Sequence, residues 1–217
     1  MHVRSKMTKE PVTITRQTTI ADALELMRKH NIRRLPVMEN NKLVGIVTDR
    51  DISEVSPSPA TTLSVFEINY LLAKMKIKDV LPKNQKVVTI SPDAYVEEAA
   101  IIMREHKIGA LPVIENNKLV GIITETNIFD AFIELLGVKE QGSRITIEVE
   151  DKPGVLADVT QIIKNDGANI SRVAVFREDG KTFIAIRLNT FYGEPIIATL
   201  EKNGYTIHSY KSYNEYQ

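Results

Sequence analysis

The chain has no cysteine and no tryptophan in its 217 residues, only 6% of them are aromatic, and Lys and Arg balance Asp and Glu at 28 each. Without cysteine there are no disulfides, no thiolate metal sites and no cysteine nucleophiles, which fits a reducing compartment. Without a basic excess there is no electrostatic footprint for sequence-independent nucleic-acid binding, which needs clustered Lys and Arg to displace counterions. No stretch approaches the roughly 20 apolar residues that span a bilayer. The opening residues, MHVRSKMTKEPVTI, lack the continuous hydrophobic segment of a leader. The expectation is a cytoplasmic globular protein with neither a membrane nor a nucleic-acid partner. Hydrophobic residues, at 43%, suffice for one or more cores.

What the chain does have is an internal repeat. Val12–Ile52 reads VTITRQTTIADALELMRKHNIRRLPVMENNKLVGIVTDRDI, and Val88–Ile128 reads VTISPDAYVEEAAIIMREHKIGALPVIENNKLVGIITETNI. The two align without a gap, and about half of the positions are identical. Each has a short lead-in, VRSKM at Val3–Met7 and IKDVL at Ile77–Leu81. In the first copy, Val12–Ile14 reads as a short strand, and Ile20, Ala23, Leu24 and Met27 follow helical spacing. Leu35–Met38 and Leu43–Val47 read as strands joined at Asn40-Asn41, a pair that tolerates positive φ. Thr48–Ile52 opens a second helix. The second copy repeats this β-α-β-β-α order. Such a unit leaves one apolar sheet face open, and two copies packed together bury it. Ser53–Thr62 carries Pro57 and Pro59, which break any helix, and Leu63–Met75 predicts a connecting helix. Gly137 fits a helix C-cap before the polar linker Lys139–Ser143.

From Arg144 the pattern changes. RITIEVE alternates as a strand, a loop and helix follow with Pro153 as first helical residue, and Ser171–Arg177 and Thr182–Asn189 make a hairpin. Pro195–Asn203 predicts a helix and Tyr205–Tyr210 a last strand. The order βαββαβ is ferredoxin-like, and the fold class is α+β.

The phrases IRRLPV…VGIVTDRD and IGALPV…VGIITETN resemble the CBS (Bateman) motif, and DKPGVLADV followed by GANI resembles the ACT motif. Together the resemblances cover nearly the whole chain. They place a first CBS motif at 1–60, a connecting helix at 61–76, a second CBS motif at 77–137, a linker at 138–143 and an ACT domain at 144–217. The domain order is similar to that of the acetoin utilization family. The CBS resemblance implies clefts for adenosine nucleotides of the AMP, ADP or ATP type. In the first copy it points to Thr15, Ile32, Arg33, Arg34, Pro36, Thr48, Arg50 and Asp51. In the second it points to Ser91, Ile108, Gly109, Pro112, Thr124, Thr126 and Asn127.

Each assignment has a physical reason and a plainer competitor. The T-x-x-D of Thr48–Asp51 offers a hydroxyl and helix-start N–H groups to phosphate, and Asp51 can accept from ribose hydroxyls. Equally, Thr48 can be an N-cap and Asp51 a first-turn acid. Ile32 and Pro36 supply apolar surface for adenine, with backbone near Thr15 and Arg33 reading its edge. Arg33, Arg34 and Arg50 become Gly109, Ala110 and Thr126 in the second copy, and Asp51 becomes Asn127. That asymmetry favours a phosphorylated nucleotide at the first site, since guanidinium suits phosphate; a solvated face or an inter-subunit pairing is the alternative.

The ACT resemblance implies an amino-acid site at Asp151, Gly154, Val155, Leu156, Asn169 and Ile170, with helix-start N–H groups holding a carboxylate. A domain serving only dimerisation, with Gly154 chosen for close helix–sheet packing, is the competing reading. Pairing of its exposed edge strand makes a homodimer. No nucleophile, base and orienter assemble around the four histidines, and no metal motif or P-loop occurs. The sequence therefore describes an allosteric, non-catalytic regulator with no cofactor beyond its regulatory ligand and an unidentified protein target, or else an interaction scaffold with vestigial sites.

Overall fold

The computed structural model describes residues 1–55, 64–82 and 85–213. The proline-bearing stretch with Pro57 and Pro59, and Leu63 after it, lies outside the described residues. Two units divide the chain, Met1–Phe129 and Asp130–Gln217.

The first unit opens with a 3-10 turn at Val3–Ser5, followed by β1 (Thr8–Lys9), β2 (Ile14–Thr15), α1 (Ile20–His30), β3 (Arg34–Glu39), β4 (Lys42–Thr48) and α2 (Asp49–Val55). Helices α3 (Val65–Lys74) and α4 (Ile77–Val80) lead into the second copy, with α5 (Val96–His106), β5 (Ala110–Glu115), β6 (Lys118–Thr124) and α6 (Glu125–Leu135). Local chemistry sets the boundaries. The Thr19 side chain accepts the Asp22 N–H at the start of α1, and Asn31 ends the helix in the left-handed region. Asn40 and Asn41 have φ of 48° and 59°, and Asn116 and Asn117 of 48° and 61°. Each pair makes the two-residue hairpin turn read from the sequence. The first strand of each copy is shorter than its β-branched run: β2 has two residues, and in the second copy only the bridge from Ile90 to Val113 remains.

The lead-ins cross over. Ile77 N–H donates to Thr18 O at 3.0 Å and Ile20 N–H to Met75 O at 2.9 Å, so the second lead-in docks on the first repeat. Conversely, Val3 N–H donates to Ala94 O and Val96 N–H to Met1 O, each at 2.9 Å, and β1 pairs antiparallel with β6. Ile77 and Leu81 thereby join Ile20, Leu35, Val47 and Ile52 in one apolar cluster, and burying each aliphatic side chain stabilises by about 1.5–3 kcal/mol. Glycine makes room for both crossings. A Cβ on Gly45 would strike Leu81, and one on Gly121 would strike Met7 and the Thr8 carbonyl.

The second unit contains β7 (Gly142–Val149), α7 (Val155–Asn165), β8 (Ile170–Glu178), β9 (Lys181–Leu188), α8 (Glu194–Lys202) and β10 (Thr206–Tyr213). Its sheet order, β10-β7-β9-β8, is antiparallel throughout and ferredoxin-like. One face packs Ile145, Ile147, Ile184, Ile186 and Leu188 against Val159, Ile163, Ile196 and Leu200 of the two helices. Gly137, at φ 61°, closes α6, its N–H bonding Glu134 O at 3.1 Å. Pro153 sits in the turn before α7 rather than at its first helical position, because Gly154 takes the N-cap with φ 91°.

Candidate functional site

At the end of β4 the chain turns straight into α2, and Thr48 and Asp51 form a closed cap. The Asp51 Oδ2 accepts from Thr48 N–H and from Thr48 Oγ1, both at 2.8 Å, and Asp51 N–H donates to Thr48 Oγ1 at 3.2 Å. The N-cap role is therefore real, and it leaves the Asp51 Oδ1 with no hydrogen bond among the described residues. In the second copy Thr124 and Asn127 repeat the geometry at 2.9, 2.8 and 3.4 Å. Asparagine keeps the acceptor and drops the charge.

The cap of Thr48 and Asp51 stands at the wall of a cleft of about 490 Å³ within the first unit. That size falls in the range of small-molecule sites. Ile46, Val87, Val88 and Ile108 give it an apolar patch. Arg33, Arg34, Arg50, Lys86 and Lys107 face two carboxylates, Asp49 and Asp51. Arg50 is bound to Glu54 at 3.1 Å, an exposed pair one helical turn away. Arg33, Arg34, Lys86 and Lys107 make no ion pair among the described residues. Arg34 is half-buried, and its guanidinium lies over Gly109, where a Cβ would collide with it and with the Glu125 carboxylate. An unpaired, half-buried cation keeps its desolvation cost until an anion arrives.

Of the residues singled out from the sequence, Arg33, Arg34, Thr48, Arg50, Asp51, Ile108 and Gly109 meet in this cleft. Ile108 and Gly109, which the repeat assigns to a second site, line the same cleft as Thr48. Thr15 and Ser91 do not line it. Thr15 Oγ1 accepts from Gln17 N–H at 3.2 Å, and Ser91 Oγ from Asp93 N–H at 3.2 Å, so each hydroxyl closes a local turn. Pro36 and Pro112 are buried in β3 and β5, Ile32 is half-buried, and the Arg33 carbonyl is taken by Asp49 N–H at 3.0 Å. Thr124, Thr126 and Asn127 lie at the head of α6, outside this lining. Sequence reading missed Lys86, Lys107 and Gln85. Gln85 Oε1 accepts from Ile46 N–H at 2.9 Å and pins the approach to the second copy onto β4.

Three stretches of the chain match known families. The CBS domain profile matches residues 3–58 and 77–134, more than half of the chain. The chain belongs to the CBS domain family. The ACT domain profile matches residues 143–208, so the CBS pair is followed by an ACT domain, and both are regulatory domains. Among relatives, this CBS protein is 34% identical to a CBS domain-containing protein of Dictyostelium discoideum, over 62% of this chain and 92% of that one. It is 26% identical to the inosine-5'-monophosphate dehydrogenase of Korarchaeum cryptofilum over 88% of this chain, and spans 37% of that enzyme's length. Among solved structures, it is similar to an acetoin utilization protein from Vibrio cholerae, with 34% identity over 64% of this chain and 94% of that one and a TM-score of 0.51.

In the ACT domain, Gly154 needs its freedom for φ, not for packing: no atom lies within 4 Å of a Cβ placed there. Val155 N–H turns back to Lys152 O at 3.4 Å, and exposed Leu156 follows at the helix start. The Asp151 carboxylate is engaged by Arg177 at 2.5 Å. Asn169 pairs through its backbone with Asn189, and Ile170 begins β8. Among the described residues there is no cluster of His, Asp and Glu able to hold a metal ion, and no helix long and apolar enough to cross a membrane.

Proposed function

We propose that this CBS protein is a cytoplasmic, non-catalytic regulator that binds an adenosine nucleotide carrying more than one phosphate in the cleft beside Thr48 and Asp51. The observation that carries the reading is the set of unpaired cations, Arg33, Arg34, Lys86 and Lys107, around a capped helix start and an apolar patch. The parts match a nucleotide's three chemistries. Ile46, Val88 and Ile108 offer apolar surface to a base, the free Asp51 Oδ1 can accept from a ribose hydroxyl, and guanidinium and ammonium groups suit phosphates. The ligand regulates by binding one conformation better than another. Similarity to the Vibrio cholerae acetoin utilization protein supports acetoin or acetate metabolism as the process its protein target serves.

The ACT domain contributes assembly in this reading. Strand β8 is a sheet edge, and Val173 and Val175 on it are 42% and 53% exposed, which favours pairing with a second copy into a homodimer. An amino acid at the α7 start is the further ligand the family resemblance suggests, with Asp151 released from Arg177 to meet its amino group. A pure scaffold is the competing class. Thermal melting with AMP, ADP, ATP, NAD, S-adenosylmethionine and amino acids separates the two, because a ligand specific to the folded state stabilises by about 2.7 kcal/mol at a hundred times its Kd. ADP or ATP should raise Tm in the wild type and raise it less in Arg34→Ala. A flat response to every compound discards the sensor.

A further inference from the structure

The sheet of the ACT domain has a second face, opposite its helices, and the strand register lines up charge across it. Lys211 on β10 is directly opposite Arg144 on β7, Arg144 is opposite Arg187 on β9, and Arg187 is opposite Arg172 on β8. Directly opposed residues of antiparallel strands project to the same side, and these four alternate with the Ile145 and Ile186 positions that face the helices. Four cations therefore stand in one row perpendicular to the strands, about 14 Å long at the usual strand spacing.

Like charges set directly opposite destabilise a sheet, so the row needs a counter-charge. Among the described residues one stands at a single end: Glu140 binds Arg172 at 2.6 Å. Arg187 and Lys211 flank the ring of Tyr213, at 4.9 and 5.1 Å from its centroid, which gathers them without neutralising them. Arg144, half-buried between them, has neither an ion pair nor a ring partner among the described residues. The adjoining row on the same face, Ser209, Thr146, Ala185 and Ala174, is made of small residues, and its two central ones, Thr146 and Ala185, are buried.

We propose that this row of cations binds a small molecule carrying two or more oxyanion groups, phosphate or carboxylate, held by Arg144, Arg187 and Lys211. A long polyanion such as nucleic acid fits less well, because Asp and Glu outnumber Lys and Arg in the second unit as a whole. Its long-range field repels such a chain, while three cations within contact reach still hold a compact ligand. The site is separate from the CBS cleft, and it does not depend on the nucleotide reading.

The test is calorimetric titration of the full-length protein with inorganic tripolyphosphate and, separately, with citrate, each against sodium chloride of matched ionic strength. Binding by one or both that persists in Arg34→Ala, and is weakened about tenfold or more when Arg144→Gln or Lys211→Gln is added to that variant, supports the site. The responding probe shows which oxyanion it takes. Because Arg144→Gln removes two like-charge contacts, its unliganded Tm should equal or exceed that of the wild type. No binding beyond the salt control, unchanged affinity in both sheet variants, or loss only in Arg34→Ala overturns the proposal.

Discussion

At the head of α2, Thr48 and Asp51 make three hydrogen bonds; at the head of α6, Thr124 and Asn127 make the same three. Around the first cap stand Arg33, Arg34, Lys86 and Lys107. The positions that correspond to Arg33 and Arg34 in the second copy are Gly109 and Ala110, and Gly109 lies beneath the Arg34 side chain. Hydrogen-bond geometry at a helix start can thus be preserved while charge is redistributed. The fold needs the former, and the proposed ligand reads the latter. The difference between the copies is also partly one of packing, since a side chain at residue 109 would displace the cation that the other copy contributes.

The comparison can be broken most forcefully in the cores. Leu35 and Leu111 are both fully buried at equivalent positions. Leu35→Ala and Leu111→Ala should each cost about 2–5 kcal/mol, with similar losses, in urea unfolding; a large inequality means that the repeats do not share one structural logic. Next in size is the cleft. Arg34→Ala should weaken ADP or ATP binding about tenfold or more by calorimetry while leaving the urea midpoint near that of the wild type. Equal affinity for AMP and ATP in the wild type would argue that the cations do not read the additional phosphates.

A smaller effect sharpens the same contrast. Asp51→Asn copies the second repeat's cap, so stability should shift by no more than about 0.5 kcal/mol, whereas Asp51→Ala loses the cap and should cost about 1 kcal/mol. If both substitutions cost the same, the cap is not what holds α2. Smallest is a pH effect at a third cap of the same type. Ser64 N–H and Oγ both donate to Glu67 Oε2 at 2.8 Å, and these bonds hold the Glu67 carboxyl below its ordinary range. A depressed carboxyl contributes stability above its unfolded pKa and loses it as pH falls through the folded value. The first turn of α3 should therefore exchange amide protons faster, relative to the intrinsic rate, in acid below the usual carboxylate range. Protection independent of pH there would show that the box contributes nothing.

Much of this architecture was legible in the residues. Asn40-Asn41 and Asn116-Asn117 announced their turns, the helical spacing of Ile20, Ala23 and Met27 announced α1, and the alternation after Arg144 announced the second sheet. The caps at Thr48 and Thr124 were legible as motifs, because their partners lie three residues away. What depended on distant residues was not. Lys107 corresponds to Asn31 and falls outside the shared phrase, so nothing in the repeat marked it as part of the cleft. The cation row exists only once register is set, since Arg144, Arg172, Arg187 and Lys211 show no periodicity along the chain. Neutral total charge concealed it, because a composition sums over surfaces that a ligand meets one at a time.

The exchange of lead-ins has a consequence for how the molecule is made. Thr8 finds its strand partner at Ile122, so Thr8 and its neighbours wait for most of the first unit to be synthesised before they have anywhere to bind. Neither repeat is a transplantable module: a fragment cut between the copies carries the other half's closing segment and lacks its own. Severed halves should regain their shape only when mixed, each repaired by the piece its counterpart was holding.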